Sequence, residues 1–160
     1  MQALRPMTEP EYAAWLAGII PAYAADKVAS GQWSATESVE RSTQEYAQLL
    51  PHGLATPDNH HFTVEDARGK NVGVLWFAVK TRFNKRIAYL FNIQVKPEYQ
   101  RQGNALAAME ALEAEVLRLD LQGIALHVFG HNEGARALYA KLGFQPTSIN
   151  LYKPIGAAEA

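Results

Sequence analysis

The chain has 160 residues, a formal net charge of −1, 48% hydrophobic and 19% charged residues, and no cysteine. That length suits one folded domain with a substantial core, and the near-neutral charge argues against nucleic acid or an acidic membrane as an electrostatic partner. Without thiols there are no disulfides, thiolate metal sites or cysteine nucleophile, and with no apolar run near the roughly 18 residues that span a bilayer and no signal-peptide core in MQALRPMTEPEY, cytoplasmic residence is expected.

Thr8 followed by Glu11 has the form of a capping box. Behind it Tyr12, Trp15, Leu16, Ile19 and Ile20 fall on one helical face. Pro21 is expected to kink or break this helix, with 22–30 as a second piece. A further helix starts after Ser34, points Val39, Tyr46, Leu49 and Leu50 inward, and ends by Pro51. PHGLATPDNHH reads as loop. The period then changes to about two. HFTVEDA and NVGVLWFAV become strands joined by a turn over 68–71, and TRFNKR is a polar turn. IAYLFNIQV (87–95) is a third strand, with Tyr89, Phe91, Ile93 and Val95 on one face and Leu90, Asn92 and Gln94 on the other. A helix over 104–119 follows, burying Ala105, Met109, Leu112, Val116 and Leu119, with Leu106, Ala108 and Leu117 widening the stripe. IALHVF is a strand. Asn132 is an N-cap and Gly143 a C′ residue for the helix EGARALYAKL. FQPTSINLYK is a final strand and PIGAAEA a tail. This order indicates an α/β (α+β) domain with a mixed sheet.

Between the third strand and its helix the chain presents QRQGNA. A helix that starts there leaves its first backbone N–H groups unpaired and adds the positive end of its dipole, which together suit an anion. Gly103 lets a ligand approach the main chain, Ala105 keeps the next position open, and Arg101 adds a charge that pairs with phosphate. The stretch is neither G-x-x-x-x-G-K-[ST] nor G-x-G-x-x-G. On these residues alone, a pyrophosphate cradle and an ordinary turn with one glycine both stand.

V-x-P-x-x-Q-x-x-G-x-A (Val95, Pro97, Gln100, Gly103, Ala105) is similar to the acyl-CoA-binding signature of the GNAT superfamily of N-acetyltransferases. HNEGARALYAKLGF (131–144) resembles that family's Asn-x-x-Ala-x-x-Leu-Tyr-x-x-x-Gly-Phe segment. The two motifs occur in the family's order, and the resemblance runs over 73–144. LHVFGHN further resembles a bacterial subgroup of unassigned substrate, and LFNIQVKPEYQRQG is similar to the ribosomal-protein N-terminal alanine acetyltransferases.

The resemblance implies a mixed, mostly antiparallel sheet whose central strands splay apart, flanked by helices. It implies a single domain over 1–160, with 1–52 as the helical acceptor side and 60–153 as the sheet and acyl-CoA core. The strand over 87–95 would carry a bulge, and backbone at Ile93, Gln94 and Val95 would pair with the pantetheine arm of acetyl-CoA. The pyrophosphate would rest on the loop of Gln100, Arg101, Gln102, Gly103, Asn104, Ala105 and Leu106. Asn132 would contact the cofactor arm and Ala135 would leave it room; a plain N-cap is the other role for Asn132. Arg136 and Lys141 would meet the ribose phosphate or simply face solvent.

The implied chemistry is acetyl transfer to a primary amine, without metal and without an acyl-enzyme. Tyr139 matches the family's general acid, and a buried core aromatic is its plainer role. The family's acidic base is missing. His127, in IALHVF, stands where the alanine acetyltransferases have glutamate, and a histidine titrates near ~6.5, which suits a base. His60 and His61, in the loop before the first strand, are further candidates. Trp15, Tyr23, Trp33 and Trp76 either wall the acceptor pocket or are core. The expected partners are acyl-CoA and an amine acceptor, a small amine or a protein N-terminus, with a homodimer as a family habit. A catalytically idle acyl-CoA-binding module is the alternative from another class.

Overall fold

In the computed structural model, which describes residues 3–156, Thr8 caps helix α1 (Glu9–Ala29) with the expected box: its hydroxyl accepts from Glu11 N, and the Glu11 carboxylate accepts from Thr8 N. The helix does not break at Pro21. Proline removes one backbone bond, but α1 continues to Ala29 against α2 (Ser38–Leu49), whose Ser42 hydroxyl donates to Ile20 O at 2.7 Å. The buried face of α2 is Ser38, Ser42 and Tyr46, an i, i+4 stripe, so Val39 and Leu49 are exposed rather than inward.

Strand β1 (Leu4–Pro6), which the sequence did not announce, pairs with β2 (Asn59–Glu65). His60 and His61 therefore lie in a strand, opposite Phe77 and Trp76 of β3 (Asn71–Arg82), and not in the preceding loop. Asp66 closes the expected β2–β3 turn by accepting from Arg68 N and Lys70 N. Phe83 and Asn84, at φ 55° and 59°, join β3 to β4 (Lys85–Val95). Helix α3 (Asn104–Arg118) then leads to β5 (Ile124–Leu126). The sheet order is β1-β2-β3-β4-β5, antiparallel except for the last pair, which joins Ala88–Leu90 to Ile124–Leu126 in parallel.

Both faces of the sheet are covered. Trp15, Tyr46, Leu50 and Trp76 pack together on the α1–α2 side. On the other side α3 buries Ala108, Met109, Leu112 and Val116, whereas Leu106 and Leu117 are exposed, outside the stripe that meets the sheet.

The described residues fall into two compact units, through His127 and from Val128 onward. The second holds α4 (Glu133–Lys141), capped by the Asn132 side chain and ended by Gly143 at φ 94°, with Phe144 N donating to Tyr139 O and Gly143 N to Ala140 O. The expected final strand is not formed. FQPTSINLYK joins no ladder, Pro146 has no N–H to offer one, and Ile149, Leu151 and Tyr152 are exposed. Of the expected tail, 157–160 lies outside the described residues. No helix among the described residues is long and apolar enough to cross a membrane.

Candidate active site

Strand β4 carries a bulge. Phe77 pairs with Leu90 and Trp76 with Asn92, so Phe91 is an extra residue between them. This breaks the alternation expected of IAYLFNIQV. Asn92 and Gln94 share a face with Trp76 and Val74, while Ile93 and Val95 turn to the α3 face with Leu75 and Gly73. Phe91 stacks on Trp76 at 4.3 Å, and Asn92 Oδ1 accepts from Trp15 Nε1 at 3.1 Å. Gly73 is the residue that lets β3 approach the end of β4: a Cβ there would lie 2.2 Å from Gln94 O. Sequence reasoning passed over it, since a glycine in a strand does not say which backbone comes close.

Beyond Val95 a short 3₁₀ turn (Pro97–Tyr99) leads into the loop. Side-chain amides shape it by donating backward: Gln100 to Val95 O at 2.9 Å, Asn104 to Tyr99 O at 3.0 Å, Gln102 to Glu98 O at 3.3 Å. Arg101 and Gly103 adopt φ 60° and 82°. Gly103 is the N-cap of α3, and no side chain caps the helix. Among the described residues, none of the N–H groups from Arg101 to Leu106 donates to a protein acceptor, and Arg101 makes no ion pair. A row of free donors at a helix N-terminus beside a free guanidinium fits a phosphate-bearing ligand.

His127 follows directly on β5, one residue past the Leu90–Leu126 pair, and is exposed. Partial desolvation, then the charge of Lys27 on α1, holds its pKa below the usual histidine value. His61 differs. It is buried beneath Trp76, on which it stacks at 5.1 Å, with Trp15 and Tyr12 at its edges. Neither ring nitrogen has a partner, and burial pushes its pKa down to about 4. Trp15, Trp33 and Trp76 are likewise buried, so of the four aromatics only Tyr23 is half-exposed.

In the second unit, Asn132 Oδ1 accepts from Ala135 N at 3.4 Å, and Arg136 donates to Gly130 O at 3.3 Å. Tyr139 packs edge-on against Phe144 at 5.6 Å, and burial raises its pKa.

The model of the acetyltransferase (GNAT) family matches residues 24–144. The chain belongs to the GNAT family of acetyltransferases. It is 31% identical over 152 residues to the uncharacterized N-acetyltransferase YycN of Bacillus subtilis (strain 168), covering 95% of this chain and 97% of that protein. With YdgE of the same organism it shares 28% identity over the same shares of the two chains. The crystal structure of YycN superposes with a TM-score of 0.91 at 30% identity, over 96% of this chain and 98% of that one. The [ribosomal protein bS18]-alanine N-acetyltransferase of Escherichia coli (strain K12) is 44% identical over 62 residues, 39% of this chain and 42% of that protein. This GNAT chain is thus an acyltransferase with the family's mixed α/β fold, and acetyl-CoA is the family's co-substrate.

Proposed function

We propose that this GNAT enzyme transfers the acetyl group of acetyl-CoA directly to a primary amine. The observation that carries the reading is the uncapped N-terminus of α3, with its free N–H groups from Arg101 to Leu106 and the unpaired Arg101 beside it. A pyrophosphate supplies the acceptors those donors lack. Gln100, Gln102 and Asn104 act by holding the loop open, through their bonds to preceding carbonyls, and Gly103 and Ala105 keep it clear. Backbone at Ile93, Gln94 and Val95, turned by the bulge, takes the pantetheine arm, and a strand N–H near Val95 serves the developing oxyanion. In the second unit, Asn132 and Ala135, at the start of α4, are assigned to the cofactor by the family motif that they match.

Two groups move protons. Tyr139, whose pKa burial raises further above the ordinary tyrosine value, is protonated at neutral pH, as a donor to a leaving thiolate must be. The lowered pKa of His127 keeps its imidazole neutral, ready to accept a proton from the incoming ammonium directly or through water. No cysteine exists to form an acyl-enzyme, which agrees with direct transfer.

Calorimetry and an amine screen that follows free thiol test this. Gly103→Glu forces a side chain onto φ 82° and sets a carboxylate against phosphate; it should lose acetyl-CoA binding about tenfold or more while the protein stays folded. Tyr139→Phe should keep acetyl-CoA affinity and lose turnover about a hundredfold, the scale of general acid catalysis. Unchanged affinity in the first variant, or unchanged turnover in the second, would sink the corresponding assignment.

A further inference from the structure

Among the described residues, the α1-side face of β3 and β4 carries two cations, Lys80 and Arg82, that pair with no carboxylate. Lys80 Nζ lies 4.9 Å from the centre of the Tyr89 ring and 4.8 Å from that of Phe91. The Arg82 guanidinium lies over Tyr89 at 4.6 Å. Among the described residues neither cation forms an ion pair. Lys80 is half-buried, and burial first, then the charge of a second cation, Arg82, lowers its pKa. Ring faces attract an ammonium, but only modestly. A partly desolvated lysine beside an arginine remains a place where a negative charge is missing.

The place matters because of its neighbours. Phe91 is the bulge residue of β4, next to Leu90, and Leu90 pairs with Leu126, the residue before His127. Lys80 therefore sits over the ring of the bulge residue, on the strand next to the one that ends at the proposed base. Across from it, Lys27 extends from α1 over the Tyr23 and Trp33 rings at 5.6 and 5.4 Å, and its charge reaches His127. The acidic groups packed on this face are Asp26 and Glu45. Glu45 bears on Tyr23 and Tyr46 and Asp26 on Tyr46, while the charge that bears on Lys80 is that of Arg82. A polycationic acceptor would meet Lys27, Lys80 and Arg82 on its way to His127.

We infer that the acceptor is a small amine of the amino-acid class, whose carboxylate is bound by Lys80 with Arg82 on the Tyr89–Phe91 face while its amino group lies at His127. This rests on the acyl-transfer reading and narrows its acceptor. The carboxylate offers Lys80 the ion pair that the protein does not, and it fixes the amine's orientation toward the base. A diamine of similar length offers a like charge instead.

The test uses matched pairs. N-acetyl-L-phenylalanine, N-acetyl-L-leucine and N-acetyl-L-glutamate are titrated by calorimetry against their carboxamides, and the parent amino acids are compared in thiol-release assays with phenethylamine, isoamylamine and putrescine. Carboxylate forms should bind, and turn over by kcat/KM, about tenfold better than their uncharged partners. Lys80→Met should bring that ratio close to one through KM, and Lys80→Arg should keep it; bound acetyl-CoA in each variant reports an intact fold. Preference for putrescine, or a ratio that Lys80→Met does not change, overturns the inference. So does turnover confined to peptides with acidic side chains. If no amine releases thiol, the acyl-transfer reading fails, and the product titrations still decide whether Lys80 selects a carboxylate.

Discussion

A methyl group at position 73 has no room. Its nearest atom is the Gln94 carbonyl oxygen at 2.2 Å, a backbone atom that cannot swing aside. Gly73→Ala must therefore push the end of β4 away from β3, and overpacking of this kind costs about 1–3 kcal/mol. The displaced backbone is the Gln94–Val95 segment proposed to hold the pantetheine arm. The variant should thus show a lower denaturation midpoint together with weakened acetyl-CoA binding by calorimetry; a lower midpoint at full affinity would detach that segment from the cofactor. Residues of this kind are hard to see in a sequence. Gly103 was legible because it stands in a contiguous pattern with Gln100 and Ala105. Gly73 needs a partner 21 positions away, Gln94. Lys80 and Phe91 are also brought together only by the hairpin.

At the scale of elements, α1 shows what a local signal gives and what it omits. The Thr8–Glu11 box was readable, because both partners lie in one turn. The same carboxylate also accepts from both terminal nitrogens of Arg5, from Thr63 Oγ1 at 2.9 Å and from Asn71 Nδ2 at 3.3 Å. Glu11 thus bolts the start of α1 to β1, β2 and β3, and Arg5 foremost holds its pKa down at about 2. A carboxyl with a depressed folded pKa stabilises above its unfolded value and loses that contribution as pH falls. Glu11→Gln should therefore lower stability by about 2 kcal/mol at neutral pH, and the deficit should close between about pH 4.5 and pH 2. Denaturant melts across that range measure it; a deficit constant with pH would mean the charge is not what matters. Pro21 shows the opposite case. A strong local rule predicted a break, and packing along both halves of α1 overrode it. The absent final strand shows the same limit. FQPTSINLYK has strand-like composition, but composition does not supply a neighbouring strand to pair with.

For the whole molecule, acid stability has a second source. His61 is buried among Trp15, Trp76 and Tyr12 with neither ring nitrogen bonded. Its folded pKa, about 4, lies below the ordinary histidine value. The unfolded chain takes up a proton below about pH 6.5 and the folded one does not, so stability falls as pH drops from about 6.5 toward 4, by up to about 3 kcal/mol. His61→Phe should remove most of this slope while keeping the aromatic packing. A wild-type melting temperature flat from pH 7 to 4.5 would contradict it. Family and fold were legible because the motifs that carry them are contiguous, and so was the α3 loop proposed for the donor. The proposed acceptor half is assembled across the sheet. Trp15 meets Asn92 and Lys27 bears on His127, and no local spacing announces either.

The bulge at Phe91 has a consequence for how the gene can vary. Strand β4 runs one residue out of phase with itself: Tyr89 and Asn92 lie on the same side of the sheet, three positions apart rather than two or four. Losing a single codon at 91 would leave a hairpin of normal appearance and full hydrogen bonding. It would also leave every other residue on its present side, Ile93 and Val95 toward α3 and Asn92 and Gln94 toward α1, because Leu90 and Asn92 would then alternate as Phe77 and Trp76 do; what would be lost is the bulge and the ring that stacks on Trp76. A deletion elsewhere in β4 that kept the bulge would instead change the face that every following residue presents, so position 91 is a place where the strand can lose a codon without turning a face.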